Sequence, residues 1–153
     1  MALSLGDLAP DFKLYSTEKM EVSLSDYKGK KVVVLFFPLA FSGGCTAELC
    51  SLRDDIASYV GLDAEILAIS VDTPFTLGKF KEEQKLPFQL LSDFNKTTSE
   101  AYGALYETFV LGLKGVSKRS AFVVDTEGIL KYIEILENAG QVPNFELVKA
   151  ALA

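Results

Sequence analysis

Both thiols of this chain lie in one short stretch, Phe36-Phe37-Pro38-Leu39-Ala40-Phe41-Ser42-Gly43-Gly44-Cys45-Thr46-Ala47-Glu48-Leu49-Cys50. Cys45 follows a strand-like apolar run, a proline, a hydroxyl residue and two glycines, and it opens a segment that reads as a helix. The thiolate is the reactive form of cysteine, and a helix N-terminus stabilises it through unpaired N–H groups and the helix dipole. Gly43 and Gly44 let a small substrate approach the backbone. Ser42 can donate one hydrogen bond and accept others. A free cysteine taken alone is more often a small buried apolar residue. Strand end, proline, hydroxyl and helix start together point instead to a nucleophile.

The chain has no histidine. This excludes Ser-His-Asp and Cys-His pairs and any His-ligated metal. Two cysteines five positions apart cannot complete a tetrahedral zinc site either. Any activation of Cys45 must come from the backbone, a hydroxyl or a cation. Arg119 and Arg53 are the two arginines. Arg119 alone, beside Lys118, reads as a surface cation. Glu48 lies about one helical turn past Cys45, where a carboxylate would repel a thiolate. It would serve either to hold Arg119 or a backbone donor, or to complement the helix dipole. Pro38 reads as a shape element without an N–H to donate. Cys50 is five residues along the same helix, so its Cα lies roughly 8–9 Å from that of Cys45. A disulfide tolerates about 7 Å, so such a bond requires the first turns of the helix to open. Otherwise Cys50 packs as a core residue.

These residues need elements to hold them. Residues 12–15 and 21–24 predict a hairpin. Residues 31–37 form a nearly continuous apolar run, as in a central strand covered on both faces. A helix is expected over 46–60, with Leu49, Leu52, Ile56 and Tyr59 on one side. A second buried strand follows at 65–71. A helix then starts at Pro74 and runs to about Gln84. A short strand at 88–91 and a helix at 96–102, ended by Gly103, come next. Residues 106–118 read as a loop-rich, partly apolar stretch. Residues 121–124 and 129–135 form a hairpin, and 144–153 a closing helix. The remaining aromatics, such as Phe36, Phe41, Phe80, Phe94 and Tyr106, are most often core residues, and some could instead line an apolar collar around the thiol or cover a dimer face. The alternation indicates an α/β layered fold.

At 153 residues the expectation is one domain over 1–153. Hydrophobic residues make up 49%, enough for a core without disulfides or metal. The net charge of −6 argues against nucleic acid and anionic membrane as partners. No basic leader or long apolar run opens the sequence, and two cysteines make no secreted disulfide framework, so a cytoplasmic setting is expected.

Pro38, Ser42 and Cys45 resemble the Pro-x-x-x-(Thr/Ser)-x-x-Cys signature of the peroxiredoxins, and Glu48 also fits their pattern. Arg119-Ser120-Ala121-Phe122-Val123-Val124-Asp125 resembles the segment carrying that family's active-site arginine, with Ala121 where a threonine is more usual. The resemblance begins at Gly6-Asp7-Leu8-Ala9-Pro10-Asp11-Phe12 and covers nearly the whole chain. Phe37-Pro38-Leu39-Ala40-Phe41 looks like the alkyl hydroperoxide reductase E group, which usually relies on one cysteine. Cys45 to Cys50 looks like the bacterioferritin comigratory protein or peroxiredoxin Q group, in which the second cysteine resolves the first.

The resemblance implies a thioredoxin-like fold: a central mixed sheet flanked by helices, with an N-terminal β-hairpin extension. It implies a thiol-dependent peroxidase without metal, haem or flavin, acting on hydrogen peroxide and organic hydroperoxides. Cys45 would be oxidised to a sulfenic acid, resolved by Cys50, and recycled by a thioredoxin-like or glutaredoxin-like protein. Ser42, Arg119, Pro38 and Glu48 would complete the site, in a monomer or a homodimer. Competing readings are a one-cysteine peroxidase using an external thiol and a non-enzymatic peroxide sensor. A general disulfide oxidoreductase would normally carry Cys-x-x-Cys, which is absent.

Overall fold

The computed structural model describes residues 2–153. In chain order the elements are β1 (Lys13–Ser16), β2 (Glu21–Ser23), β3 (Lys31–Phe36), α1 (Gly43–Asp54), α2 (Ile56–Gly61), β4 (Ala64–Ser70), α3 (Pro74–Gln84), β5 (Gln89–Ser92), α4 (Thr97–Ala101), β6 (Leu105–Tyr106), β7 (Val116–Ser117), β8 (Ser120–Val124), β9 (Leu130–Ile135) and α5 (Phe145–Leu152). Seven strands form one mixed sheet in the order β2-β1-β5-β4-β3-β8-β9. The valine run of β3 sits near its middle, parallel to β4 and antiparallel to β8. The N-terminal hairpin joins the sheet edge through antiparallel pairing of β1 with β5.

Both faces of β3 are covered, which is why its sequence is apolar without alternation. Val33, Leu35 and Phe37 meet Leu49 and Leu52 of α1, Tyr59 of α2, Leu77 and Phe80 of α3, and Val148 and Leu152 of α5. Val32, Val34 and Phe36 meet Phe12, Leu14, Tyr102 and Phe122 on the other face. There the Tyr102 ring lies 5.4 Å from that of Phe36 and 5.0 Å from that of Phe122, and its hydroxyl donates to Pro10 O at 2.6 Å.

One expectation needs correction. The helix expected over 46–60 starts earlier, at Gly43, and breaks at Asp55 into α1 and α2. At the break, Asp55 accepts hydrogen bonds from Ser58 Oγ at 2.6 Å and from Lys149 Nζ of α5 at 2.9 Å. The stretch 106–118 is loop-rich as expected, with Tyr106 ending β6 and Val116–Ser117 forming β7, and these two short strands pair with each other. Of the remaining aromatics, Phe36, Phe80 and Tyr106 are buried, and Phe41 is 46% and Phe94 57% exposed.

Candidate active site

The site forms at the carboxyl ends of the parallel strands. Phe37 N–H extends the ladder to Ile69 O at 3.0 Å. Pro38 has no N–H to continue it, and the chain leaves the sheet. Ala40 N–H then bonds Asp72 Oδ2 at 2.7 Å. Phe41 takes a left-handed conformation, φ 69°, which is unusual for a bulky residue, and its ring packs edge-on against Phe80 at 5.1 Å. That turn delivers the chain to Ser42, the N-cap of α1.

Ser42 caps with its carbonyl, which accepts from Thr46 N–H at 2.9 Å and Thr46 Oγ1 at 2.8 Å. Its own hydroxyl donates to Leu39 O at 2.8 Å. The N–H groups of Gly43, Gly44 and Cys45 precede the first helical bond and have no carbonyl within the helix to bind. Cys45 is fully buried in this first turn, against the core face that also carries Ala121.

Arg119 is not a surface cation. It is 3% exposed, as is Glu48. Its Nη1 donates to Glu48 Oε1 at 2.5 Å and its Nε to Ala139 O at 3.0 Å. Its Nη2 lies over Gly44, where a Cβ would come within 3.2 Å of it. One reason for glycine here is therefore room for the guanidinium. Burial alone would lower the Arg119 pKa, but the charges of Cys45 and Glu48 outweigh it and the net direction is upward. Burial pushes the Glu48 carboxyl up to about 7, and Arg119 only partly offsets this. Glu48 Oε2 is buried without a partner.

Cys50 is half-buried in the middle of α1, and its thiol donates to Gln84 Oε1 of α3 at 3.3 Å. Arg53 reaches Gln84 O at 2.6 Å. Five residues on an ideal helix turn by about 140° relative to the start, so Cys45 and Cys50 lie on different sides of α1. The structure thus brings Cys45, Glu48 and Arg119 together at the start of α1, with Ser42 as its N-cap and Pro38 on the loop that leads to it, and leaves Cys50 engaged with α3. Sequence reasoning missed Asp72 and the Ala139 carbonyl. The available signal for Asp72 was a polar Ser70-Val71-Asp72 ending a buried parallel strand, the edge where α/β sheets place their sites.

A buried thiol at a helix start thus lies beside a buried arginine–carboxylate pair at the end of a mixed sheet, an arrangement suited to thiol redox chemistry. Residues 5–133 match the AhpC/TSA family. The chain is 41% identical to peroxiredoxin Bcp of Bacillus subtilis over 85% of its length and 83% of that protein. It is 39% identical to alkyl hydroperoxide reductase E of Mycobacterium bovis over 99% and 97%. Among solved structures, peroxidoxin BcpB of Mycobacterium tuberculosis superposes with a TM-score of 0.86 at 28% identity, covering 98% of this chain and 96% of that one. The chain belongs to the AhpC/TSA family: it is a peroxiredoxin, a thiol-dependent peroxidase with a thioredoxin-like fold. No helix among the described residues is long and apolar enough to cross a membrane.

Proposed function

We propose that Cys45 is the peroxide-reducing nucleophile. Its thiolate attacks the terminal oxygen of a hydroperoxide. An S–O bond forms as the O–O bond breaks, sulfur is oxidised to the sulfenic acid, and the departing oxygen takes a proton to leave as water or an alcohol. The N–H groups of the first α1 turn and Arg119 Nη2 are the donors available to the thiolate and the departing oxygen. Ser42 Oγ is the hydroxyl one turn away, and Pro38 shields the site. The observation that carries this reading is the burial of Arg119, held at two nitrogens by Glu48 and Ala139 O with a third over Gly44.

In the second half of the cycle, the Cys50 thiol displaces the sulfenic oxygen. This gives a Cys45–Cys50 disulfide and water. A thioredoxin-like or glutaredoxin-like dithiol then reduces the disulfide by exchange. The separation of the two thiols on α1 requires that helix to open first. One observation favours the one-cysteine alternative: α1 is continuous from Gly43 to Asp54, and the Cys50 thiol is engaged with Gln84. A reducing compartment such as the cytoplasm suits either route. The test is steady-state consumption of peroxide coupled to thioredoxin and its reductase. Many turnovers per chain, abolished by Cys45→Ser, support the reading. A single equivalent consumed with every reductant tried would make the protein a sensor instead.

A further inference from the structure

The Leu39–Ala40 peptide is gripped at both ends. Its N–H donates to Asp72 Oδ2 at 2.7 Å, and its C=O accepts the Ser42 hydroxyl at 2.8 Å. We propose that Asp72 is a positioning residue for Ser42: its carboxylate fixes this peptide and, through it, the direction of the hydroxyl one turn before Cys45. The proposal rests on the reading of Ser42 and Cys45 given above.

Asp72 is itself well anchored. Its Oδ2 also accepts from Ser70 Oγ at 2.7 Å, and Ser70 is fully buried at the end of β4. The Asp72 N–H returns to Ser70 Oγ at 3.2 Å, and the Asp72 carbonyl accepts from Ser92 Oγ of β5 at 2.5 Å. The end of β4 thus holds the carboxylate through Ser70, and the end of β5 holds the backbone that carries it through Ser92. A hydrogen bond to an ionised acceptor is stronger than a neutral one, and bonds in a chain polarise one another. The carboxylate therefore makes Leu39 O a better acceptor, and the single proton of Ser42 is committed to it. This leaves the lone pairs of Ser42 Oγ to receive a proton-bearing partner such as the O–H of a hydroperoxide. Without Asp72 the peptide loses one of its two fixed ends. The Ser42 hydroxyl is then free to turn toward the Cys45 thiolate, where donating to sulfur would dull its nucleophilicity.

A residue that merely stabilised the loop would slow oxidation whether or not Ser42 were present. The test is a double-mutant cycle on the rate constant for Cys45 oxidation by hydrogen peroxide, read by stopped flow, with melting curves for each variant. Asp72→Ala should slow the reaction roughly tenfold, and Asp72→Asn, which keeps an acceptor without charge, should fall between it and wild type. Ser42→Ala should also slow the reaction, and adding Asp72→Ala to it should change nothing further. Multiplying effects in the double variant overturn the proposal. A wild-type rate in Asp72→Ala, with Ser42→Ala slow, overturns it while leaving the roles of Ser42 and Cys45 standing. A wild-type rate in Ser42→Ala overturns it together with the reading of Ser42. If Asp72→Ala does not fold, Asp72→Asn carries the same cycle.

Discussion

Replacing Glu48 with glutamine should remove a pH dependence of stability that the wild type carries. The Glu48 carboxyl is raised from its usual 4.5 to about 7, with burial as the main cause. Below about pH 4.5 the acid is protonated in both folded and unfolded chains. Between 4.5 and 7 the unfolded chain releases the proton while the native one keeps it, so stability falls as pH rises. Above 7 both are ionised and the loss is complete. The full effect is on the order of 3 kcal/mol, or roughly 6–12 °C in Tm for a domain of this size. The amide of the Glu48→Gln variant has no such transition, and its oxygen can still accept from Arg119. Thermal melts in reducing buffer from pH 5 to pH 8 should therefore move the stability difference in the variant's favour by about 2–3 kcal/mol. Parallel profiles for the two proteins are the opposing result. They would mean that Arg119 offsets the burial of Glu48 fully, leaving an ordinary ion pair.

Arg119→Met should slow single-turnover oxidation of Cys45 by at least about tenfold, or roughly 1.4 kcal/mol of barrier. An unchanged stopped-flow rate would deny the guanidinium any part in the chemistry. Gly44→Ala puts a Cβ within 3.2 Å of Arg119 Nη2, so the guanidinium must shift by a few tenths of an ångström. Slower oxidation with little change in Tm is expected, and a wild-type rate would show that the position of Nη2 does not matter. Cys50→Ser should keep the first oxidation, lose recycling by thioredoxin, and over-oxidise more readily at high peroxide. Peptide mapping that finds no Cys45–Cys50 disulfide in the peroxide-treated wild type, with unchanged hydrogen exchange over 43–53, would make Cys50 a packing residue.

Where local signals dominate, the sequence is easily read. Pro74 to Gln84 is expected as a helix and found as one, because its ends are fixed locally. Thr73 Oγ1 accepts from Thr76 N–H at 3.2 Å at the start, and Lys85 turns left-handed, φ 53°, at the end. The α1 start was harder to place. Gly43 and Gly44 look like helix breakers, yet they are its first residues, since the position of the Ser42 carbonyl and not their propensity sets the beginning. The break at Asp55 involves Lys149, 94 residues further along the chain, a partner that helical periodicity cannot show. Cys45, Ser42 and Pro38 were legible as a cluster because they are close in sequence. The burial of Arg119 and its grip on Glu48 depend on β8 lying beside β3, a sheet order that periodicity does not encode. Asp72 was hidden for the same reason, since its partner Ala40 lies on the next loop of the parallel sheet.

If the Cys45 sulfur attacks peroxide at this helix start, the first equivalent of oxidant is spent on that one atom. Intact mass and peptide mapping after one equivalent of hydrogen peroxide, on wild type and Cys45→Ser, test it most directly. In the wild type, the modification should map to Cys45, as a sulfenic acid or as its disulfide with Cys50. In Cys45→Ser, both the added mass and the disulfide should be absent while the melting curve stays close to wild type. Rapid oxidation of Cys50 in the Cys45→Ser protein, with Cys45 of the wild type left reduced, would place the peroxide chemistry at Cys50 instead.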